Sequence, residues 1–472
     1  ATGSRTTNGI STGSRLLSQF GKFNYAFSDR YLASFTIRRD GSSRFGQDNR
    51  YGIFPAITVG WRINKEEFFK NVTVVSNLKL RAGYGEVGNQ SIGDNARFGL
   101  YEARYGPNQN VYYPDFFNIY YNVGTAYDLN GANTGNLSSG FVSIQAANSG
   151  LKWESTKEVN VGLDFGFFDD KLSGSFDYFS RNTEGILIVP PVASAVGEGQ
   201  QRFVNGASTS NKGWEFTIGY ADKLENGLSY NITTNFGATK NKITELPEEV
   251  RAAYPGTAAN SIVGHSQYEI FGYKTDGLFQ SQQDIDSHAT QIASRLGGIK
   301  YVDINSDGVI NSDDRTFIGS TLPKLEYGIN ISLAYKNIDF SVFGSGVAGR
   351  IGQDPYIFWN NFVQGRDNAG PGTLNAWTPT NTNTDVPSLS LANNDNKASD
   401  YLFRNNSYFK LRNMQIGYSF SDDLVKKSGF ITSCRVYAQG ENLFWITPKG
   451  YIGSDPERTD VNRIPVPTTY SL

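Results

Sequence analysis

The amino-acid sequence predicts an all-β fold, in which antiparallel strands form the wall of a transmembrane β-barrel. Three observations predict this fold: apolar and polar residues alternate with a period of two over long segments, helical periodicity is nearly absent, and short connections alternate with longer ones. No run of about 18 apolar residues occurs, which excludes a helical membrane span. Strands are therefore the segments that would cross a bilayer.

The composition of the 472 residues limits the classes of function. Lys and Arg number 43 against 45 Asp and Glu, so the formal net charge is only -2 and we expect no nucleic-acid partner. Cys434 is the single cysteine, which excludes an internal disulfide and a cysteine-based zinc site. The two histidines, His265 and His288, lack the spacing of a helical metal pair. We therefore expect a protein that is not an enzyme.

Individual strands are predicted from the alternation. Every odd-numbered residue from Val159 to Phe167 is apolar, while the residues between them are Asn, Gly or Asp. The same period recurs around residues 232–238, 329–335 and 414–420. About thirteen strands are predicted, over residues 18–27, 30–40, 51–63, 77–87, 152–167, 171–184, 211–222, 228–240, 325–335, 338–346, 408–420, 431–441 and 467–472.

The connections indicate how the strands cross the membrane. Short connections are predicted at 28–29, 64–76, 168–170, 223–227, 336–337 and 421–430, and longer ones at 41–50, 88–151, 185–210, 241–324, 347–407 and 442–466. Outer-membrane barrels have short periplasmic turns and long extracellular loops, and their strands need roughly 9–11 residues. The apolar face would then contact outer-membrane lipid. A soluble all-β array is the alternative, and its outer face should be richer in Lys and Glu.

Strand direction indicates which part of a barrel this chain supplies. The last strand of a barrel runs down to end in the periplasm, so the first of thirteen strands also runs downward. A barrel that follows a periplasmic N-terminal domain begins with an upward strand. We therefore expect residues 1–472 to form the C-terminal part of a larger barrel, with further chain before Ala1.

Residues 303–314 resemble a calcium-binding loop. Oxygen side chains at loop positions 1, 3, 5, 9 and 12, a glycine at 6 and a backbone carbonyl at 7 have the spacing of an EF-hand loop. The predicted calcium ligands are Asp303, Asn305, Asp307, Val309, Asn311 and Asp314. Position 12 is Asp rather than Glu, so its arm is one methylene shorter, and an Asx-rich turn without an ion is the alternative. We expect the ion to be structural.

Aromatic residues are concentrated in two long connections, 101–127 and 347–407. Ring faces stack on sugars or peptides, although they also pack loops against each other or against a partner protein. The candidate substrate-binding residues are Tyr112, Tyr113, Phe116, Trp359 and Trp377.

Short segments along nearly the whole chain match a known family in order. They are NLKLRAGYG (77–85) with GN (88–89), WESTK (153–157), DFGFF (164–168), NKGWE (211–215), GYKTDGLF (272–279), RTFIG (315–319), SYFKLRN (407–413), GENLF (440–444) and DPE (455–457). These segments resemble the SusC-like TonB-dependent transporters of Bacteroidetes outer membranes, the SusC/RagA family.

The resemblance implies a 22-stranded barrel with a plugged lumen, of which this chain would supply about thirteen strands. It also implies a SusD-like surface lipoprotein that closes over the extracellular mouth, a glycan or peptide substrate, and the TonB–ExbB–ExbD system pulling on the plug. The plug, the TonB box and about nine strands have no counterpart in these residues, so this chain alone would neither close a barrel nor couple to TonB.

Three functions compete at this point. An outer-membrane nutrient importer, located in the cell outer membrane of a Bacteroidetes-like Gram-negative bacterium, fits the resemblance. A passive porin or an adhesin barrel would use the same alternation without a plug. A surface glycoside hydrolase would need a carboxylate pair facing a cleft at roughly 5–9.5 Å.

Overall fold

The computed structural model describes residues 13–104, 110–112, 120–122, 140–190, 202–248, 261–363, 370–391, 395–421, 425, 427, 429–453, 455–457 and 466–472. Thirteen strands in these ranges form one continuous antiparallel sheet. They are β1 (Leu16–Phe27), β2 (Tyr31–Ser42), β3 (Tyr51–Arg62), β4 (Val75–Asn89), β5 (Glu154–Phe167), β6 (Leu172–Glu184), β7 (Ser208–Lys223), β8 (Leu228–Glu245), β9 (Leu325–Tyr335), β10 (Ile338–Ala348), β11 (Tyr408–Ser419), β12 (Arg435–Ile446) and β13 (Thr469–Ser471). Each strand pairs with its neighbours in this numbering, so the predicted number and order of strands are confirmed.

The largest difference from the predicted boundaries is at β12, which begins at Arg435 and ends at Ile446 rather than covering 431–441. Asn442 lies inside this strand with φ +53°, at an irregularity in its pairing with β11. Asn tolerates the left-handed region better than most residues, so the strand continues through a position that is typical of a turn.

The register gives the sheet two different faces. One row across neighbouring strands contains Leu80, Leu163, Phe176, Phe216, Phe236 and Tyr327. The adjacent row, one residue further along each strand, contains Arg81, Gly162, Asp177, Glu215, Gly237 and Glu326. Because side chains alternate along a strand, the two rows lie on opposite sides. We name these sides the apolar face and the polar face.

Connections alternate between the two ends of the sheet. One end, here called the turn end, carries 28–30, 63–74, 168–171, 224–227, 336–337 and 420–434. The other, the loop end, carries 43–50, 90–153, 185–207, 246–324, 349–407 and 447–468. The alternation in length is not strict, because 43–50 is shorter than 63–74. The latter segment contains two 3-10 turns, between which Glu66 accepts hydrogen bonds from Tyr31 (2.6 Å) and Trp61 (2.9 Å).

The long connections contain small elements of their own. Short antiparallel pairs join Leu100–Arg104 to Gly140–Gln145, Asn110–Tyr112 to Tyr120–Asn122, Leu187–Ile188 to Val204–Asn205, Glu269–Gly272 to Thr316–Ser320, Thr275–Leu278 to Ile299–Tyr301, and Ile351–Gln353 to Phe403–Asn405. Among the elements that lie wholly within the described ranges, the helices are α1 (Gln282–Asp286), α2 (Pro355–Asn361) and the 3-10 turns Ile63–Lys65, Glu67–Phe69, Ser312–Asp314 and Pro371–Asn375. In the described part of the chain, no helix has the length and apolar character to cross a membrane.

Among the described residues, the largest buried apolar cluster lies at the loop end, outside the thirteen-stranded sheet. It consists of Leu278, Ile299, Tyr301, Ile310, Ile357, Phe362, Trp377, Tyr401 and Leu402. All of these residues come from the connections 246–324 and 349–407, so the two connections fold together as one unit. We name this group the mouth cluster.

Candidate functional site

The mouth cluster is positioned by short elements of both connections. Ile299 and Tyr301 are alternate residues of one short strand, and both side chains are buried. Ile357 comes from α2, where the Asp354 side chain accepts a hydrogen bond from the Tyr356 amide and caps the helix N-terminus. The ring of Phe362 packs edge-on against Tyr401 at 5.8 Å. Apolar burial therefore fixes the two connections relative to each other.

Polar contacts join the same two connections. Tyr273 donates its amide to the carbonyl of Ala398 (2.9 Å) and accepts from the amide of Asp400 (3.1 Å). Arg295 forms an ion pair of 2.5 Å with Asp395, whose side chain is only 4% exposed. Asp395 also accepts from the Ile299 amide at 3.2 Å. A buried carboxylate with both an ion pair and a backbone donor is well compensated, so these contacts hold one arrangement of the loops.

An open groove of about 810 Å³ lies beside the mouth cluster. Its lining is rich in side chains that donate or accept hydrogen bonds, among them Gln280, Asn375, Asn383, Asp385, Asp400 and Arg404. The Arg404 guanidinium is 3.4 Å from the Asp385 carboxylate and stacks 5.1 Å from the centre of the Tyr401 ring. Burial raises the pKa of Tyr401 to about 12, so its ring remains neutral beside this cation. The groove therefore presents directional polar groups next to one ring, which suits a hydroxyl-rich or amide-rich solute. We name it the polar groove.

The predicted substrate-binding aromatics have different positions. Trp359, on α2, is 41% exposed and lies edge-on to Phe358. Trp377 is 6% exposed within the mouth cluster and donates its indole N–H to Gln280 at 2.9 Å, so stacking on a substrate would require this cluster to open. Tyr112 ends a short strand, whereas Tyr113 and Phe116 lie outside the described residues. The substrate role of all five residues stays a prediction.

The calcium-loop-like segment lies between the short strand Ile299–Tyr301 and the strand Thr316–Ser320, in the connection that supplies much of the mouth cluster. Several of its side chains accept backbone hydrogen bonds: Asp303 from Gly308 (2.8 Å), Asn305 from Asp307 (3.0 Å), Asp307 from Val309 (2.9 Å), Asn311 from Asp313 (2.8 Å), and Asp314 from Ile304 (2.9 Å) and Asn311 (2.8 Å). The second carboxylate oxygen of Asp303 is buried and has no hydrogen-bond partner among the described residues. No three Asp, Glu, His or Cys side chains converge as a metal cluster in those same ranges.

A second polar network, not predicted from the residues, fastens the last long connection to the sheet. Lys410 on β11 and Asp455 are both fully buried, with 3.2 Å between the ammonium and the carboxylate. Lys410 also lies 3.1 Å from Glu457, which accepts from Arg412 (2.6 Å) and from the hydroxyl of Tyr408 (2.9 Å). We name these five residues the anchor network.

Electrostatics explain why Glu457 of the anchor network is charged at neutral pH. Burial opposes ionisation of Glu457, but hydrogen bonds from Arg412, Tyr408 and Lys410 hold its pKa at about 2. The residues of this network lie in the segments SYFKLRN and DPE, which the sequence distinguishes only by their resemblance to the family. Their contact joins residues 45 positions apart, which no local period indicates.

Ion pairs also line the polar face of the sheet. Arg81 bridges Asp164 (3.0 Å) and Asp177 (2.5 Å) across neighbouring strands. Arg181 and Glu158 form a similar pair at 2.8 Å. Residues of this kind are typical of the interior of a barrel, since they require contact with water or with each other.

Comparison with known proteins decides the family. A family model described as TonB dependent receptor-like, beta-barrel, matches residues 1–443. The chain belongs to this family. It is 32% identical over 461 residues to TonB-dependent receptor P3 of Formosa agariphila and 31% identical over 479 residues to TonB-dependent receptor SusC of Bacteroides thetaiotaomicron, with 95% and 99% of this chain covered. The family resemblance found in the sequence is confirmed.

The chain spans less than half the length of these relatives, 43% of the first and 44% of the second. Among solved structures, the RagAB peptide transporter matches with a TM-score of 0.75 at 24% identity, over 94% of this chain and 45% of that chain. The RagAB peptide importer in its 'closed-closed' state gives a TM-score of 0.74 over the same shares. These likenesses show the fold: the thirteen strands follow part of a TonB-dependent β-barrel.

Proposed function

We propose that this chain is part of an outer-membrane importer that takes up glycan fragments or oligopeptides by TonB-dependent transport. The observation that carries the proposal is the polar groove at the loop end of a two-faced barrel wall, in a chain of the TonB-dependent receptor-like family. No bond is broken in this function. The protein binds a solute at the mouth and lets it pass along the polar face.

Each surface has a separate task in this proposal. The apolar face contacts the lipid of the outer membrane, because apolar side chains on it such as Val161, Phe176 and Tyr178 are exposed. The polar face, with Arg81 and its two carboxylate partners, borders the lumen. The polar groove supplies hydrogen bonds to the solute, and the exposed ring of Trp359 is available for stacking.

The partners follow from the same proposal. A SusD-like surface lipoprotein covers the loop end and captures the solute between the two proteins. Support comes from the similarity of this chain to TonB-dependent receptor SusC and to the RagAB peptide transporter. The TonB–ExbB–ExbD system supplies energy to the whole protein. The matched relatives are more than twice as long as this chain.

Energy dependence of uptake is the deciding experiment. Cells that carry the whole protein are offered a library of labelled oligosaccharides and a library of labelled oligopeptides. They should accumulate solutes from one of the two libraries, and a protonophore or deletion of tonB should abolish the uptake. Uptake that continues without TonB would support a passive porin, and surface attachment without uptake would support an adhesin.

The groove is tested by Arg404→Ala, which removes a cation that lines it. We expect weaker uptake of the solute, by about tenfold, if a charge-assisted hydrogen bond to the solute is lost. Arg39→Ala is the matched control, because Arg39 is an exposed arginine of β2 outside the groove lining. Equal uptake by both variants would place the solute elsewhere.

We also propose that residues 303–314 hold a structural calcium ion. The buried, unpaired oxygen of Asp303 fits a hard cation, and Asp303, Asn305, Asp307, the Val309 carbonyl, Asn311 and Asp314 would hold it. When bound, the ion would neutralise carboxylates that otherwise repel each other. Its effect would be to stiffen the connection that also carries Ile299 and Tyr301.

Calorimetric titration of the whole protein with Ca²⁺ tests this ion directly, without a transport measurement. Asp303→Ala should abolish the binding heat. Asp313→Ala, at a loop position that is not a predicted ligand, should retain it. Absence of a binding heat in the unmodified protein would leave the Asx-turn interpretation.

A further inference from the structure

A group of lysines lies on the apolar face near the loop end of β7 and β8. Lys212 and Lys240 are directly opposite each other in the register, two residues beyond the pair formed by Trp214 and Ala238. Lys242 follows with the same parity, so it points to the same side. Lys324, just before β9, lines the same place. These four residues are named the lysine patch.

The lysine patch lacks anionic partners in the protein. All four side chains are exposed, and within the described ranges none of them forms an ion pair. Like charges directly opposite each other on one face of a sheet are unfavourable. Glu269 borders the patch, but its carboxylate is 2.6 Å from His265 and is thereby engaged. The arrangement therefore favours an anion that comes from outside the chain.

The surroundings indicate what kind of anion would fit. The patch lines an open groove of about 990 Å³, whose lining also includes Tyr178 and Trp214. These two rings are register partners on the apolar face, where such rings mark the level of lipid headgroups in a barrel. Lysines immediately beyond them lie at the height of the headgroups rather than of the acyl chains.

We infer that the lysine patch binds the headgroup phosphate of an anionic lipid in the membrane leaflet at the loop end. Lysine binds phosphate as a compact point charge, and basic residues beside a membrane gain affinity for anionic headgroups. The acyl chains of the same lipid would continue along the apolar face past Phe216 and Phe236. This continuity favours a lipid over an acidic protein or a free phosphate ion. The inference requires only that the apolar face meets lipid, and it does not depend on what the protein transports.

The experiment uses the whole purified protein in detergent, titrated with monophosphoryl lipid A and observed by native mass spectrometry. The variant combines Lys212→Gln, Lys240→Gln and Lys242→Gln. We expect its apparent affinity for the lipid to fall by at least about tenfold, because three favourable charge contacts are removed. The same lipid without its phosphate should bind the unmodified protein as weakly as the intact lipid binds the variant.

Two further variants separate charge from folding. The variant that combines Lys212→Arg, Lys240→Arg and Lys242→Arg keeps the charge and should retain binding. The control that combines Lys65→Gln, Lys223→Gln and Lys336→Gln removes three exposed lysines at the turn end and should leave the affinity within about twofold. The inference would be overturned if the glutamine variant bound the lipid as tightly as the unmodified protein does. It would also be overturned if the unmodified protein bound the phosphate-free lipid as tightly as the intact lipid. Displacement of the lipid by excess inorganic phosphate would overturn it as well, because that result would indicate a site for the free ion.

Discussion

The sheet and the mouth cluster are built from the same kinds of apolar residue but treat them in opposite ways. On the sheet, Phe23 is 64% exposed and Ile416 is 53% exposed, whereas Ile299 and Tyr301 of the mouth cluster are 0% and 1% exposed. A water-soluble domain hides such residues, and a barrel wall presents them to lipid. The two regions are therefore organised differently. The sheet leaves apolar side chains uncovered by protein, as the wall of a barrel in lipid does, whereas the loops carry a conventional core of their own.

The anchor network fastens the connection 447–468 to the sheet through fully buried charges, so breaking it should have the largest effect. Lys410→Ala leaves the fully buried carboxylate of Asp455 without its cation. Loss of one partner of a buried ion pair costs about 3–5 kcal/mol, and we expect the free energy of local opening around residues 451–457 to fall by that amount. Hydrogen exchange of peptides from this segment measures it. Unchanged protection would mean that Asp455 does not depend on Lys410.

Truncation inside the mouth cluster should come next in size. Ile299→Ala removes a side chain with no exposed area and should lower the local stability of the paired connections by about 2–5 kcal/mol. The readout is the rate of limited proteolysis within 261–324 and 370–407.

Ile416→Ala, on the apolar face of β11, tests whether the sheet tolerates a truncation that the mouth cluster does not. Its side chain is half exposed to the surrounding solvent, so in lipid the loops should keep their resistance to protease. If both alanine variants loosened the loops equally, the sheet and the mouth cluster would be one cooperative unit.

Much of the sheet can be predicted from the sequence because its signal is local. A period of two identifies a strand and its two faces within a dozen residues, as in 156–167, and successive strands of a barrel pair in order. The prediction of a strand's end fails where one residue lets the strand continue through a sequence that is typical of a turn. Asn442 adopts a left-handed backbone and lets β12 continue, while the sequence at 440–442 is typical of a turn.

The site is less predictable because its contacts are distant in sequence. Trp377 is an aromatic residue in a long loop and therefore a candidate for substrate stacking, yet it lies inside a cluster whose members extend from Leu278 to Leu402. Lys410 has an ordinary place in an alternating strand, and its partner Asp455 lies in another connection. Composition supplies the residue types, but only the fold determines which of them meet.

Acid should weaken the anchor network with a defined sign. The pKa of Glu457 is about 2 in the folded protein, below the ordinary value of 4.5. The stabilisation that ionised Glu457 adds to the folded state is therefore fully present above about pH 4.5 and is lost as the pH falls toward 2. The effect should be smaller than that of Lys410→Ala, because 26% of the Glu457 side chain is exposed.

Tryptophan fluorescence provides the readout for this titration, since Lys410 lies 6.0 Å from the ring centre of Trp445. We expect a transition below pH 4.5 in the unmodified protein and its absence in Glu457→Gln. Glu225→Gln, in the connection 224–227 at the turn end, should behave as the unmodified protein does. A transition that persists in Glu457→Gln would assign it to another group.

The smallest effect is expected where an ion pair lies in water on the wall itself. Lys157 and Glu184 are 3.0 Å apart on neighbouring strands, but their side chains are 41% and 56% exposed. Exposed pairs gain little because water and salt screen the attraction and two long side chains lose freedom. Lys157→Ala should therefore leave hydrogen exchange in 154–167 unchanged within error, at low and at high salt. A clear loss of protection would show that this ion pair is shielded from water in the membrane-bound protein. The difference between this pair and the buried Lys410–Asp455 pair would then have to come from the geometry of the two pairs.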